Sequence, residues 1–334
     1  YYDTRKSVAH VTGPSKVTSG DNVIHTADAW LNSKTNQSQL FGRSTIINKE
    51  KTITGDSLYH NSETGVSKGF GNVVFNDSLN KNALLCGHLE YNDKTGYGFA
   101  TQQALMKDFS QPDTLYVHAD TLKMYTYNID TDSVYRVVHG FDKVKAYRRD
   151  VQAVCDSMVF TSIDSCLTLY RDPIAWSGER QLLGDQMKIY MNDSTVREAQ
   201  VIGNTLSVEK VDNENHYNQV AAKLINAYFI DGAIRQTVCI GNVETVFYPQ
   251  DDKDSTLTGL NYLETDTLRM YMSAQRQLEK IWTPRAQGTM FPMTQIPRDK
   301  YHLPSFAWYE ELRPTSPNDV FIWRPRSKRA PIRH

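Results

Sequence analysis

Gly55-Asp56-Ser57-Leu58-Tyr59-His60-Asn61-Ser62-Glu63-Thr64-Gly65, followed at once by Val66-Ser67-Lys68-Gly69-Phe70-Gly71-Asn72-Val73-Val74-Phe75, holds the pattern that decides the fold. It opens on a small residue, an acid, any residue and an apolar one. A large residue follows, then a polar turn closed by glycine, then a second half with glycine ahead of alternating apolar residues. Gly, Asn and Asp at the turn supply tight backbone angles. The opening recurs as Ala27-Asp28-Ala29-Trp30, Ala119-Asp120-Thr121-Leu122, Cys155-Asp156-Ser157-Met158, Gly184-Asp185-Gln186-Met187 and Thr265-Asp266-Thr267-Leu268. Gly87-His88-Leu89 and Ala222-Lys223-Leu224 fill the gaps without the acid, and successive copies lie 28 to 43 residues apart. A repeat of this length is a supersecondary unit that must stack on its neighbours.

Inside each copy the period is two. Asp120, Leu122 and Met124 share one face; Thr121, Lys123 and Tyr125 share the other. Asp185, Met187, Ile189 and Met191 alternate likewise, as do Asp266, Leu268, Met270 and Met272. This is the spacing of half-buried strands. Residues 216–229 place Val220, Leu224 and Tyr228 at helical spacing, but their position in the repeat predicts a strand. The second halves Gly140-Phe141, Gly203-Asn204 and Gly241-Asn242 lead into further alternating stretches. Eight two-strand units predict an all-β, elongated, twisted antiparallel repeat of about sixteen strands over 20–283, as one body or as two halves with a break near 150. Residues 1–19 form a lead-in. From 284 the pattern stops: eight of twelve prolines lie there, and basic residues outnumber acids nine to four. This region predicts an extended strap anchored by Phe306, Trp308, Tyr309 and Trp323, because prolines at that density exclude central strands. Its basic end, Arg324-Pro325-Arg326-Ser327-Lys328-Arg329, reads as a solvated tail, with lipid phosphates as the alternative partner.

The net charge of −1 gives no footprint for nucleic acid or an anionic membrane surface. Mean hydropathy is −0.53, and no apolar run reaches the roughly 20 residues of a membrane helix. The chain opens on Tyr1, as expected of a processed chain, so a missing signal peptide excludes nothing. Cys86, Cys155, Cys166 and Cys239 form no C-x-x-C pair. Cys155 and Cys166 lie within reach of a hairpin bridge, but small buried thiols are the plainer reading. Histidines, among them His60, His88, His118 and His139, show no H-E-x-x-H spacing, and no G-x-S-x-G elbow occurs. An acid repeated at one point of every unit reads as a hydrogen-bond acceptor, not as a catalytic carboxylate. Neither enzyme, cofactor nor metal is expected.

The A-D-x-L-x-Y pattern, its turn and the following G-x-V strand resemble the repeat of the OstA/LptA family over roughly residues 20–282. The asparagine- and tyrosine-rich texture resembles the OstA-like proteins of Bacteroidetes. What the resemblance implies is a β-jellyroll or taco whose two facing sheets shield acyl chains. It implies a periplasmic role, associated with the outer membrane, in lipopolysaccharide transport and outer-membrane biogenesis. Lipopolysaccharide or another acylated lipid would be the ligand. Other bridge proteins, or further copies of the chain, would join by edge-strand pairing. The family's acyl-facing positions would fall on Trp30, Leu58, Leu89, Leu122, Met124, Met158, Met187, Ile189, Leu268 and Met270. The chain departs from the family in its length and in its proline-rich basic end. The rival expectation is a structural β-solenoid, scaffold or adhesin, whose same residues form a solid core.

Overall fold

The computed structural model describes residues 1–326, apart from 20, 21, 193, 194, 213, 215, 252, 253, 255, 276 and 277. Of the expected turn Asn192-Asp193-Ser194, the last two residues lie outside this set, as do 327–334 of the basic end. The ordered elements are strands and four short 3-10 turns, so the all-β antiparallel expectation holds. Of the stretch 216–229, all but His216 lies within the strand Tyr217–Ile230. Among the described residues no helix is long and apolar enough to cross a membrane.

Two compact units divide the chain. The first comprises Tyr1–Arg148, Ser157–Ile163 and Ser316–Phe321; the second comprises Arg149–Asp156, Asp164–Thr315 and Ile322–His334. Unit 1 holds β1 (Tyr2–Asp3), β2 (Val8–Ser19), β3 (Asn22–Asn32), β4 (Gln37–Asn48), β5 (Lys51–Asn61), β6 (Val66–Asp77), β7 (Asn82–Asn92), β8 (Tyr97–Thr101), β9 (Leu105–Asp108), β10 (Leu115–His118), β11 (Thr121–Tyr127) and β12 (Tyr135–Arg148). Strand β13 (Val151–Thr161) contributes residues to each unit. Unit 2 holds β14 (Cys166–Tyr170), β15 (Ile174–Ser177), β16 (Arg180–Leu183), β17 (Gln186–Asn192), β18 (Thr195–Lys210), β19 (Tyr217–Ile230), β20 (Ala233–Phe247), β21 (Gly259–Met272), β22 (Leu278–Trp282) and β23 (Ala286–Pro292).

From β2 to β7 and from β18 to β21 each strand pairs with the next, and a register shift divides each pairing into two arms. The shift falls between Thr54 and Ser57 where β5 meets β6, and between Ile202 and Thr205 where β18 meets β19. In β6 the extra residues are Gly71 and Asn72, both at positive φ (69° and 45°). Glycine and asparagine tolerate that region at least cost, and the bulge bends the strand. At other positions the long strand breaks outright. β8 and β9 both pair with β7, and β10 and β11 both pair with β12. These breaks raise the number of strand segments to 23, above the sixteen expected.

Turns at the tips follow from one asparagine. Asn61 Oδ1 accepts the backbone N–H of Glu63 and Thr64 at 2.9 and 3.0 Å. Asn32 and Asn92 do the same for the residues two and three further on. This is the Asx turn, a local side-chain substitute for backbone pairing. Strand pairing begins at Tyr2 and continues to Pro292, where β23 lies against β21.

Candidate functional site

The inward face of unit 1 is built from two rows of cross-strand neighbours, one on each arm. On the first arm Val11, Ala29, Leu40, Leu58, Gly69, Leu89, Ala100, Leu122 and Gly140 pair in succession. On the second arm Val17, Ile24, Ile46, Ile53, Phe75, Leu84, Met106, Val117 and Ala146 do so. Neither row contains a polar side chain. At roughly 4.8 Å per strand each runs on the order of 40 Å. The rows face each other: Ile24, Ala29, Leu40 and Leu58 form one buried cluster, with Ile46, Ile53, Val11 and Val17 packed on it. In the second row Ile24 and Val117 are buried, whereas Ile46, Ile53, Phe75, Leu84 and Met106 stay partly open.

Six of the ten expected lining residues lie deep in these packed faces. Leu58, Leu89, Leu122 and Met158 in unit 1, and Met187 and Leu268 in unit 2, are at most 6 % exposed. Met124, Ile189 and Met270 are half-buried, one step nearer the tips. Leu89 and Leu122 are joined through Ala100. Met158 packs so close to Gly140 that a Cβ there would stand 2.9 Å from its Cγ. In unit 2 Leu169, Met187, Val201, Ile225, Cys239 and Leu268 form one row. Leu167, Ile189, Ala199, Ala227, Thr237, Met270 and Ile281 form the row beside it. Met187 and Ile189 therefore share a face with Leu268 and Met270, four strands away.

Trp30 takes the other face. Asp28 pairs with Phe41, which pairs with Ser57, so Ala29 is the counterpart of Leu58 and the first copy is offset by one residue. A slip of one residue exchanges the faces. Trp30 is 46 % exposed and stacks on the His10 ring at 4.1 Å. On the same outer face a depression of about 480 Å³ is bordered by Gln39, Phe41, Tyr59, Asn61, Lys68 and Phe70, and of the expected lining residues only Leu58 touches it.

The repeated acids sit at the kinks. Asp56 accepts Asn72 Nδ2 at 2.7 Å and Arg43 Nη1 at 3.1 Å, and these bonds hold its carboxyl below the usual value. Asp120 pairs with Lys143 at 2.7 Å, Asp156 with Arg171 at 2.9 Å and Asp28 with His10 at 2.9 Å. All four cysteines are buried thiols outside any disulfide, so Cys155 and Cys166 are not bridged. Burial pushes Cys86 up to about 11 and Cys155 and Cys239 up to about 12. His60 and His118 are held below the usual imidazole value, in each case chiefly by burial. Asp212, Glu214 and His216 bring possible ligand atoms within 4.8 Å of one another. Asp212 already accepts the N–H of Glu214 and His216 and pairs with the His216 ring at 2.6 Å, so the group is a self-contained turn.

Sequence reasoning missed the second apolar row, from Val17 to Ala146. Its signal was available in Ile46, Ile53 and Phe75, but these lie beyond the kink, where alternation restarts in a new phase.

No family model matches the chain, and no curated protein matches it. Among solved structures it is similar to the crystal structure of LptH, the LptA homologous periplasmic component of the conserved lipopolysaccharide transport device from Pseudomonas aeruginosa. Identity is 11 %, the match covers 42 % of this chain and 92 % of that one, and the TM-score is 0.31.

Proposed function

We propose that this protein is a non-catalytic lipid carrier of the cell envelope, which takes acyl chains along the seam between its two inward apolar rows. The supporting observation is the row from Val17 to Ala146 in unit 1, unbroken by any polar side chain and partly open at Ile46, Ile53, Phe75, Leu84 and Met106. A sheet that needed only a core would gain nothing from leaving large apolar side chains accessible along one continuous stripe. A chain of methylenes entering that seam gains about 0.8 kcal/mol for each CH₂ buried. Met124, Ile189 and Met270 are placed to meet such a ligand, while the buried leucines and Met158, Met187 and Leu268 form the wall behind it. Trp30 is not part of this lining.

The ligand class is lipopolysaccharide or another acylated lipid, and the compartment is the periplasm, as the repeat motif's resemblance implies. Strand β2 pairs with β1 only at Val8 and Ala9, which leaves most of one edge for strand addition by a transport partner or a second copy.

The test is native mass spectrometry of protein purified from a Gram-negative host, followed by lipid extraction. Co-purified acylated lipid, lost in a folded Ile53→Glu, Met106→Glu variant, is the expected result. A lipid-free protein that also ignores added lipid A would leave a structural scaffold with a solid core, a reading that the deep burial of Leu58, Leu89, Leu122 and Met158 favours.

A further inference from the structure

The strap after Pro292 is held by glutamines. Gln219 Nε2 donates to Tyr301 O at 2.8 Å, and its Oε1 accepts the Leu303 N–H at 2.8 Å. Gln181 repeats this six residues on: Nε2 donates to Ala307 O at 2.9 Å, and Oε1 accepts the Tyr309 N–H at 2.8 Å. Both glutamines are fully buried. Each offers a carbonyl and an amide to residues i and i+2 of the strap, which bends at Tyr301 and turns between Leu303 and Phe306. They occupy one row of the sheet, joined through Val208. Leu303 and Leu312 join Trp176, Leu206 and Val208 in one buried apolar cluster.

This surface is not the inward face of unit 2. After Gly203-Asn204, as after Gly71-Asn72, the first residue points inward and the next outward, so Leu206 and Val208 face out. The buried cluster that the strap completes contains none of Met187, Val201, Ile225, Cys239 or Leu268.

Three features mark the strap as a ligand rather than as part of the sheet. Among the described residues it adds no strand beyond β23, so the ladders are complete without it. It is gripped through side chains. Its contact is also imperfectly satisfied. Six buried side-chain polar atoms lack a hydrogen-bond partner among the described residues, and five belong to the strap or to the cluster it completes: Trp176 Nε1, the Tyr248 and Tyr309 hydroxyls, His302 Nδ1 and Ser305 Oγ. Cores rarely tolerate this density of unpaired polar atoms.

We propose that the outer face of unit 2 is a binding site for a peptide segment, read through Gln181 and Gln219. Residues 301–313 are its resident ligand, and the same segment from a second copy of the chain can replace it. Exchange of an identical element between copies is a low-cost route to association. The proposal is independent of lipid binding.

The test uses the full chain carrying Leu303→Asp and Leu312→Asp, which weakens the strap and leaves the sheet's residues untouched. A fluorescent synthetic peptide of residues 298–315 is the probe. The weakened variant takes up the peptide saturably. The wild type binds it at least about tenfold more weakly, because its own strap competes at high effective concentration. Adding Gln181→Leu and Gln219→Leu lowers binding by at least about tenfold. Hydrogen exchange on the wild type supplies a second readout: the Leu303 and Tyr309 amides exchange about 100-fold faster than that of Cys239 in the ladder. A weakened variant that loses its sheet signal, or stays folded and ignores the peptide, overturns the proposal. So does binding indifferent to the two glutamines, or strap amides that exchange no faster than Cys239.

Discussion

The carboxylate of Asp185 accepts the side-chain amide of Asn204 at 3.1 Å, and Asp56 accepts that of Asn72 at 2.7 Å. In both places the asparagine follows a glycine at positive φ, 70° at Gly203 and 69° at Gly71. The acid of one strand thus ties down the bulge of the next. At these two kinks the small-acid motif and the glycine are two halves of one device, which holds the bend of the strand.

Gly71→Ala should therefore be costly. Its Cβ would stand 2.7 Å from Asp56 Oδ2, on a backbone that L-residues avoid. We expect a loss of about 1–2 kcal/mol for the left-handed conformation alone. Gly98→Ala is the control, since its Cβ would meet Met124 at 3.5 Å and Tyr91 at 3.8 Å, both ordinary contacts. Urea midpoints compare the two; equal effects would mean that the Gly-Asn bulge is not what holds the bend.

The assignment of faces makes a sharper contrast. Leu58 is 1 % exposed and Trp30 46 %. Leu58→Ala should cost about 2–5 kcal/mol as a buried leucine deletion. Trp30→Ala should cost under about 1 kcal/mol despite the larger side chain, because it opens no cavity. A Trp30→Ala loss matching that of Leu58→Ala would put the indole back in the interior.

These two residues also show how far the sequence could be read. Period-two alternation around Leu122, Met187 and Leu268 revealed strands and the repeat, because a strand's pattern is local. Trp30 was misplaced because Ala27-Asp28 mimics Gly55-Asp56 while the ladder aligns Thr26 with Gly55, and register is set by partner strands. The row through Ile46, Ile53 and Phe75 escaped because each bulge resets the alternation. The glutamine grip was invisible for another reason: Gln219 and Leu303 are 84 positions apart, and Gln181 and Tyr309 are 128 apart. Nothing local distinguishes a glutamine that holds a distant strap from one that faces water.

Acid should loosen the molecule in two steps. Burial holds His118 and His60 below the usual imidazole value, so each binds its proton more weakly folded than unfolded. The stability they contribute is complete above the unfolded value, about 6.5, and is lost as pH falls through the lower folded value. Asp56 and Glu90 are also depressed, chiefly by hydrogen bonds from Asn72 and Lys68 respectively. Their contribution is lost only at more acid pH, below the usual carboxylate range of about 4. Urea midpoints should therefore fall between about pH 7 and pH 5, and again below about pH 4. His118→Phe should flatten the first step, whereas a first step of unchanged size would remove His118 as a cause.

The cysteines allow the two units to be followed separately. Cys86 lies in unit 1, and Cys155, Cys166 and Cys239 lie in unit 2. With burial raising Cys86 to about 11 and Cys155 and Cys239 to about 12, almost no thiolate is present at neutral pH. Ellman's reagent should find no fast-reacting thiol in the native protein and all four after unfolding. Mass spectrometry of slowly labelled protein then reports which unit opens first. Unit 1 meets the strap at 316–321, where Lys145 Nζ donates to Asp319 O at 2.9 Å, whereas unit 2 is gripped at Tyr301, Leu303, Ala307 and Tyr309. Cys86 should therefore be labelled ahead of Cys239 in moderate urea, and Gln181→Leu with Gln219→Leu should narrow or reverse that order. Simultaneous labelling of all four thiols in both proteins would show instead that the units unfold together and that the strap does not decide which opens.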